Sequence, residues 1–157
     1  MASCRVNTPL GTTLIEGDQD GIRAISIIED SEPDQEIPEY LQPCTDQLLE
    51  YFEGSRRNFE LKLNPQGTDF QKKVWEILAD IPYGQTISYS ELSHKLGDPK
   101  SIRAAASANG KNPLWIIIPC HRVIGSDGSL VGYAGGLPRK QWLLNHENSC
   151  KQMSLFE

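Results

Sequence analysis

Cysteine is scarce and unpatterned in this chain. Cys4, Cys44, Cys120 and Cys150 form no CxxC pair and no metal-ligand spacing. That argues against both a zinc cluster and a disulfide framework and leaves reduced thiols as the expectation. The three histidines, His94, His121 and His146, also lack ligand spacing, so neither a metal nor a cofactor is expected. Long apolar runs are missing too. The longest, Leu114 to Ile118, falls far short of the roughly 20 residues of a membrane-spanning helix, so no membrane association is expected. The opening MASCRVNTPLG lacks the charged-then-apolar design of a signal peptide, and a cytoplasmic protein is the expectation. No internal repeat and no extended low-complexity segment is present.

A basic excess is also lacking, since the formal net charge is -6, which at first speaks against nucleic acid as a partner. The distribution changes that reading. Residues 1–64 carry 5 Lys+Arg against 13 Asp+Glu, whereas residues 65–157 carry 10 against 8. Between Leu92 and Val123, Lys95, Lys100, Arg103, Lys111 and Arg122 face Asp98 alone. This asymmetry is compatible with a basic face on the second half, and equally with a solvated helix surface.

The apolar pattern divides the chain at NPQG, Asn64 to Gly67. In the first part, TTLIEG and GIRAISII alternate on either side of the turn-rich GDQDG and predict a hairpin. An acidic loop from Glu29 to Glu39 precedes a helix with Leu41, Leu48, Tyr51 and Phe52 on one side. FELKL, with Phe59, Leu61 and Leu63 alternating, predicts a further strand. In the second part, Thr68 and Gln71 form a capping box for a helix presenting Phe70, Val74, Ile77 and Leu78. Ser88 and Glu91 form another, for a helix stopping at Gly97. Asp98 and Pro99 open a third, ending near Gly110. The last two helices make a helix-turn-helix pattern, weak by itself because many helical hairpins touch no nucleic acid. Leu114–Ile118 reads as an apolar strand, followed by a glycine-rich loop and a last helix containing Trp142, Leu143 and Leu144.

That strand runs into PCHRV, where a thiol and an imidazole are neighbours. An imidazole that takes a thiol proton makes a nucleophile. On an extended strand Cys120 and His121 would point to opposite faces, so cooperation requires a turn, which Pro119 supplies. A buried, inert cysteine is the other reading, since free cysteine behaves as a small hydrophobe.

IPCHRVIGSDGSLVGYAGGLPRKQWLLNHE closely resembles the active-site region of the O6-alkylguanine-DNA alkyltransferases, the methylated-DNA-protein-cysteine methyltransferases. The resemblance extends back through GTDFQKKVWEILADIPYGQTISYSELSHKLGDPKSIRAAASANGKNP and more weakly into CRVNTPLGTTLIEGDQDGIRAISI. It implies an α+β protein: a small α/β, RNase H-like scaffold over residues 1–64, a winged-helix-like DNA-binding and alkyl-acceptor domain over 65–150, and a tail, 151–157. It also implies single-turnover repair. Cys120 takes the alkyl group from O6 of guanine in DNA, with O4 of thymine as a further candidate substrate. His121 takes the thiol proton through a water, Glu147 orients the imidazole, and Tyr89 supplies a proton to the departing base while crowding the DNA backbone phosphate. Asn112 pins the turn before the strand.

The same resemblance implies double-stranded DNA bound through the minor groove with the damaged guanine flipped out. Arg103 fills the gap as a finger, and Ser101, Ala104 and Asn109 lie along the DNA-facing helix. Pro119, Val123, Tyr133, Ala134 and Gly135 line the base pocket, Ala134 standing where the family often has serine. A monomer is expected. Gln152 to Phe156 in the tail resemble the short peptides by which bacterial repair proteins bind the sliding clamp. The competing readings are a lesion-binding relative without transfer activity, a helix-turn-helix regulator and a Cys-His hydrolase. The first replaces the active cysteine, the second leaves the Cys120, His121 and Glu147 set unexplained, and the third would need an oxyanion site and would turn over repeatedly.

Overall fold

A computed structural model describes residues 2–28, 32–34, 36–130, 133 and 136–155, with side chains described as far as Ser149. The chain divides into two compact units, Met1–Gln66 and Gly67–Glu157.

In the first unit β1 (Ala2–Thr8), β2 (Gly11–Asp18) and β3 (Gly21–Ile28) form an antiparallel sheet in sequence order. The predicted hairpin is β2–β3. Its partner β1 has no clean alternation and was not legible as a strand; it pairs along its whole length with β2, from Ala2 opposite Gly17 to Thr8 opposite Gly11. Gly21 follows the turn at φ 135, and a Cβ there would lie 2.8 Å from the Lys62 carbonyl oxygen, so glycine is required for that close approach. The helix α1 (Gln42–Glu53) ends at Gly54 in the left-handed region. Leu41, Cys44, Leu48 and Tyr51 are buried, as are Cys4, Ile15 and Ile25 of the sheet. The predicted FELKL strand is not formed. Only Leu63 pairs, through an isolated parallel bridge to Ile22, with Ile22 N donating to the Lys62 carbonyl and Asn64 N to the Ile22 carbonyl. Alternation there reflects a segment that pairs with one residue of β3 without running beside it.

The second unit is helical. Both capping boxes are present: α2 (Asp69–Ala79) starts at Thr68 with Gln71, and α3 (Tyr89–Lys95) at Ser88 with Glu91. The buried face of α2 is Val74, Trp75 and Leu78, whereas Phe70 is exposed. The expected face is therefore rotated, because Trp75 turns inward and donates its indole N–H to the Ala108 carbonyl at 2.9 Å. Asp98 caps a 3-10 turn at Pro99–Ser101 that leads into α4 (Ile102–Gly110). The final helix α5 (Leu137–Leu155) buries Lys140, Leu143 and Glu147 on one side. Its backbone continues into the segment expected to be an irregular tail. Among the described residues no helix is long and apolar enough to cross a membrane.

Two short strands, β4 (Ile87–Ser88) and β5 (Val123–Ile124), pair in parallel, Ile87 with Val123 and Ser88 with Ile124. This small ladder matters because Tyr89 follows β4 directly and Cys120–Arg122 precede β5 directly. The pairing holds the start of α3 beside the PCHR segment.

Candidate active site

Leu114 to Ile118 is not a strand. A short apolar run bounded by prolines reads as a buried strand on periodicity alone, but here the chain folds into tight turns whose side chains enter the core. Ile116 takes φ 75, the sole non-glycine residue with positive φ among the described residues, and Ile117 N donates back to the Trp115 carbonyl at 2.8 Å. This is a γ-turn of the strained, positive-φ kind. A β-branched residue in that region costs on the order of 1–3 kcal/mol. A second γ-turn follows, with Pro119 at φ -81 and ψ 65 and Cys120 N donating to the Ile118 carbonyl at 2.8 Å. Cys120, His121 and Arg122 then make one 3-10 turn. Pro119 does release the pair from strand alternation, by placing it on a helical turn.

Asn112 holds the strained segment closed. Its Nδ2 donates to the Ile118 carbonyl at 2.7 Å, and its Oδ1 accepts from Leu114 N at 2.9 Å. One buried amide thereby satisfies both ends of the turn, and it is the reason the backbone can stay in an unfavourable conformation.

Behind the turn lies a buried polar network. His121 Nε2 is 2.7 Å from Glu147 Oε2. Arg122 meets the same carboxylate with two N–H donors, Nε to Oε1 at 2.8 Å and Nη2 to Oε2 at 2.9 Å, and sends Nη1 to the Ile81 carbonyl at 2.7 Å. Gly84 N adds a donor to Oε1 at 3.3 Å. The Arg122 guanidinium also lies over the Tyr83 ring, 5.6 Å from its centroid. Burial works to raise the Glu147 pKa, but the hydrogen bonds and charges of His121 and Arg122 outweigh it and hold the carboxyl below the usual range. Burial lowers the His121 pKa against the pull of Glu147, so the imidazole is neutral. Because an ionised carboxylate only accepts, Nε2 must carry the hydrogen. Nδ1 is then a lone-pair acceptor, buried and without a partner among the described residues.

Cys120 is 2% exposed. Burial pushes its thiol up to about 11, while the Asn112 amide and the Lys140 charge pull the other way. The resting thiol therefore keeps its proton. Lys140 is fully buried, donates to the Val123 carbonyl and faces the Tyr89 ring at 5.8 Å. Its burial brings it down to about 8, opposed by the charge of Cys120.

The sequence-selected residues divide clearly. Cys120, His121, Glu147, Asn112, Tyr89, Pro119 and Val123 are all buried around the PCHR turn. The Tyr133 ring lies tilted by 44° against Trp115 with centroids 5.9 Å apart, and its hydroxyl is buried without a partner among the described residues. Ala134 and Gly135 lie outside the described residues. Arg103 and Ala104 are exposed on α4 and Ser101 is half-buried at its start. Asn109 departs from the expected DNA-facing position: it is 1% exposed and points inward, toward Tyr89 and Cys120. Sequence reasoning missed Arg122 and Lys140. The available signal was charge on buried stripes: Lys140, Leu143 and Glu147 share one face of α5, and Arg122 stands with His121 between the apolar stretches of residues 114–120 and 123–124.

Removing one member of a buried ion pair leaves an uncompensated charge and costs about 3–5 kcal/mol. Arg122→Met is expected to lower stability by about that amount in urea denaturation. A loss below about 1 kcal/mol would show the pair to be no more than a surface-type contact.

Comparison with known proteins completes the picture. Residues 5–65 match the family described as 6-O-methylguanine DNA methyltransferase, ribonuclease-like domain, and residues 69–149 match 6-O-methylguanine DNA methyltransferase, DNA binding domain. The chain is 44% identical to the methylated-DNA-protein-cysteine methyltransferase of Methanosarcina acetivorans, over 91% of this chain and 96% of the relative. It is 41% identical to the protein of that name from Mycobacterium tuberculosis, over 92% and 90% respectively. Mycobacterium tuberculosis OGT, solved in complex with DNA, matches with a TM-score of 0.85 and 39% identity over 98% of both chains. With both domains matched in order and relatives matched along nearly their whole length, the chain belongs to the 6-O-methylguanine DNA methyltransferase family.

Proposed function

We propose that this protein repairs DNA by moving the alkyl group from O6 of an alkylated guanine to the Cys120 sulfur, once per molecule. The observation that carries the reading is the buried relay of Cys120, His121 and Glu147, with His121 held neutral and its Nδ1 unpartnered. The thiol gives its proton to Nδ1 through a water. Sulfur attacks the alkyl carbon, the carbon–O6 bond breaks, and the bonding electrons leave with the base. Tyr89 gives the departing guanine a proton, and the proton collected at His121 then passes to the Tyr89 phenolate, which leaves both side chains neutral. The product thioether has no good leaving group, so the sulfur is not regenerated.

Glu147 and Arg122 act through His121: the carboxylate fixes the tautomer and the guanidinium keeps the carboxylate ionised in a buried site. Lys140, its charge next to the thiol, favours the thiolate as it forms. A lesion-binding role without transfer has no use for this set.

A thiol this deeply buried cannot reach a base stacked in a duplex, which requires the nucleotide to be flipped out. The exposed side of α4, with Arg103 and Ala104, is the surface we assign to the minor groove, Arg103 entering the stack in place of the lost base. Asn109 has no part in that contact because it is buried. Tyr133 and Val123, with Ala134 and Gly135, would form the base pocket.

Gln152 to Phe156 are assigned to a sliding clamp, with Leu155 and Phe156 as apolar anchors. Since the backbone is helical through Leu155, binding in an extended form requires the last turn of α5 to open.

Two measurements test these assignments. Incubation with an oligonucleotide containing O6-methylguanine is expected to add the mass of one methyl group, mapped to Cys120 and absent in Cys120→Ser. Folded protein that gains no mass would falsify the transfer. Deleting residues 152–157 is expected to abolish binding to a sliding clamp in surface plasmon resonance, and unchanged binding would remove the tail from the account.

A further inference from the structure

Asn109 sits near the end of α4, following a run of alanines and small residues, and its side chain is buried. Its Nδ2 lies 3.4 Å from the Tyr89 hydroxyl oxygen and 3.4 Å from the Cys120 carbonyl oxygen. A carbonyl oxygen can only accept, so the Cys120 contact fixes the amide's orientation: the NH2 end must face it. The second N–H of the same group then falls on the phenol oxygen. The amide's own oxygen is buried with no partner among the described residues. A stranded acceptor costs stability, and asparagine is a weaker helix former than its alanine neighbours. An apolar side chain of similar shape would avoid both costs. What asparagine adds at this position is its pair of N–H donors, one on the proposed acid and one on the backbone of the proposed nucleophile.

We infer that Asn109 is a positioning residue for Tyr89: its N–H occupies the phenol oxygen, turns the phenol hydrogen away from Asn109, and stabilises the phenolate left when that hydrogen moves to the departing guanine. The inference rests on the alkyl-transfer reading and on Tyr89 as its acid. In the step concerned, the Tyr89 O–H bond breaks, an N–H bond forms on the base, and negative charge remains on the phenol oxygen. The Asn109 hydrogen bond becomes charge-assisted at that moment and shortens, which makes it stronger in the transition state than at rest. Burial raises the Tyr89 pKa and the Asn109 hydrogen bond opposes that rise, in the direction the role requires. The contact to the Cys120 carbonyl keeps the NH2 end of the amide turned toward Tyr89.

A double-mutant cycle separates this role from a purely structural one. Asn109→Leu is expected to slow single-turnover methyl transfer from duplex O6-methylguanine on the order of tenfold, the loss of one hydrogen bond to a developing charge. In a Tyr89→Phe background, which has no phenol oxygen to stabilise, the same substitution is expected to slow transfer by less than about twofold. Alkylation of Cys120 by iodoacetamide should be unchanged in both backgrounds. Equal slowing with and without the phenol, no slowing at all, or a matching loss in iodoacetamide reactivity would each overturn the inference, the last by showing that Asn109 acts through the thiol. If Asn109→Leu fails to fold, Asn109→Ala, which cannot overpack the site, carries the same comparison. Wild-type protein that accepts no methyl group would overturn the functional reading, and this inference with it.

Discussion

One buried carboxylate organises the second unit. Glu147 on α5 takes hydrogen bonds from His121, Arg122 and Gly84, reaching across to the PCHR turn and to the loop after α2. An ionised carboxylate in a protein interior is tolerated only when its lone pairs are met by donors and its charge is matched. Here Arg122 supplies the matching charge in a two-pronged contact, and that leaves His121 free to remain neutral. The consequence is chemical as well as structural. Were His121 the sole cation available, it would be held protonated and would be no base. With Arg122 in that role, the imidazole keeps a lone pair on Nδ1 in a site closed to bulk water.

Cys120 is placed by backbone geometry of an unusual kind. Two γ-turns, one through Ile116 at positive φ and one through Pro119, compress the chain before Cys120. Asn112 bridges that compression, and the β4–β5 ladder ties the result to the start of α3. Strain held by a hydrogen-bonded amide fixes the thiol in one place without the flexibility of an ordinary loop. Lys140 closes the arrangement from α5, donating to the first residue of β5 and facing Tyr89.

Where local signals determine local structure, the sequence was readable. The capping boxes at Thr68 and Ser88 set helix starts because side-chain and backbone groups a few residues apart satisfy one another. The β2–β3 hairpin was visible for the same reason. Leu114–Ile118 was misread because a turn stabilised by one asparagine and paid for by burial has the same apolar composition as a core strand. FELKL alternates yet pairs with one residue of β3 alone, which no local pattern records. The rotation of α2 depends on Trp75 finding the Ala108 carbonyl, a contact between residues far apart in the chain. The site itself was legible through PCHRV, Asn112 and Glu147. Arg122 and Lys140 were not, because a basic residue reads as surface until its partner's position is known. Asn109 was placed on the wrong side of α4, since a helix rich in small residues has little amphipathic contrast.

The central claim concerns a proton. Glu147 and Arg122 are held to keep His121 neutral, with hydrogen on Nε2 and a lone pair on Nδ1. Nitrogen-15 NMR of histidine-labelled protein reads this directly. The account predicts the Nε2–H tautomer at neutral pH, with the His121 pKa below its ordinary 6.5 because burial penalises the charged ring. Lowering the pH through 6.5 should therefore leave Nδ1 unprotonated, and imidazolium should form only in more acidic solution. A hydrogen on Nδ1 at neutral pH, whether as the other tautomer or as imidazolium, would contradict the account.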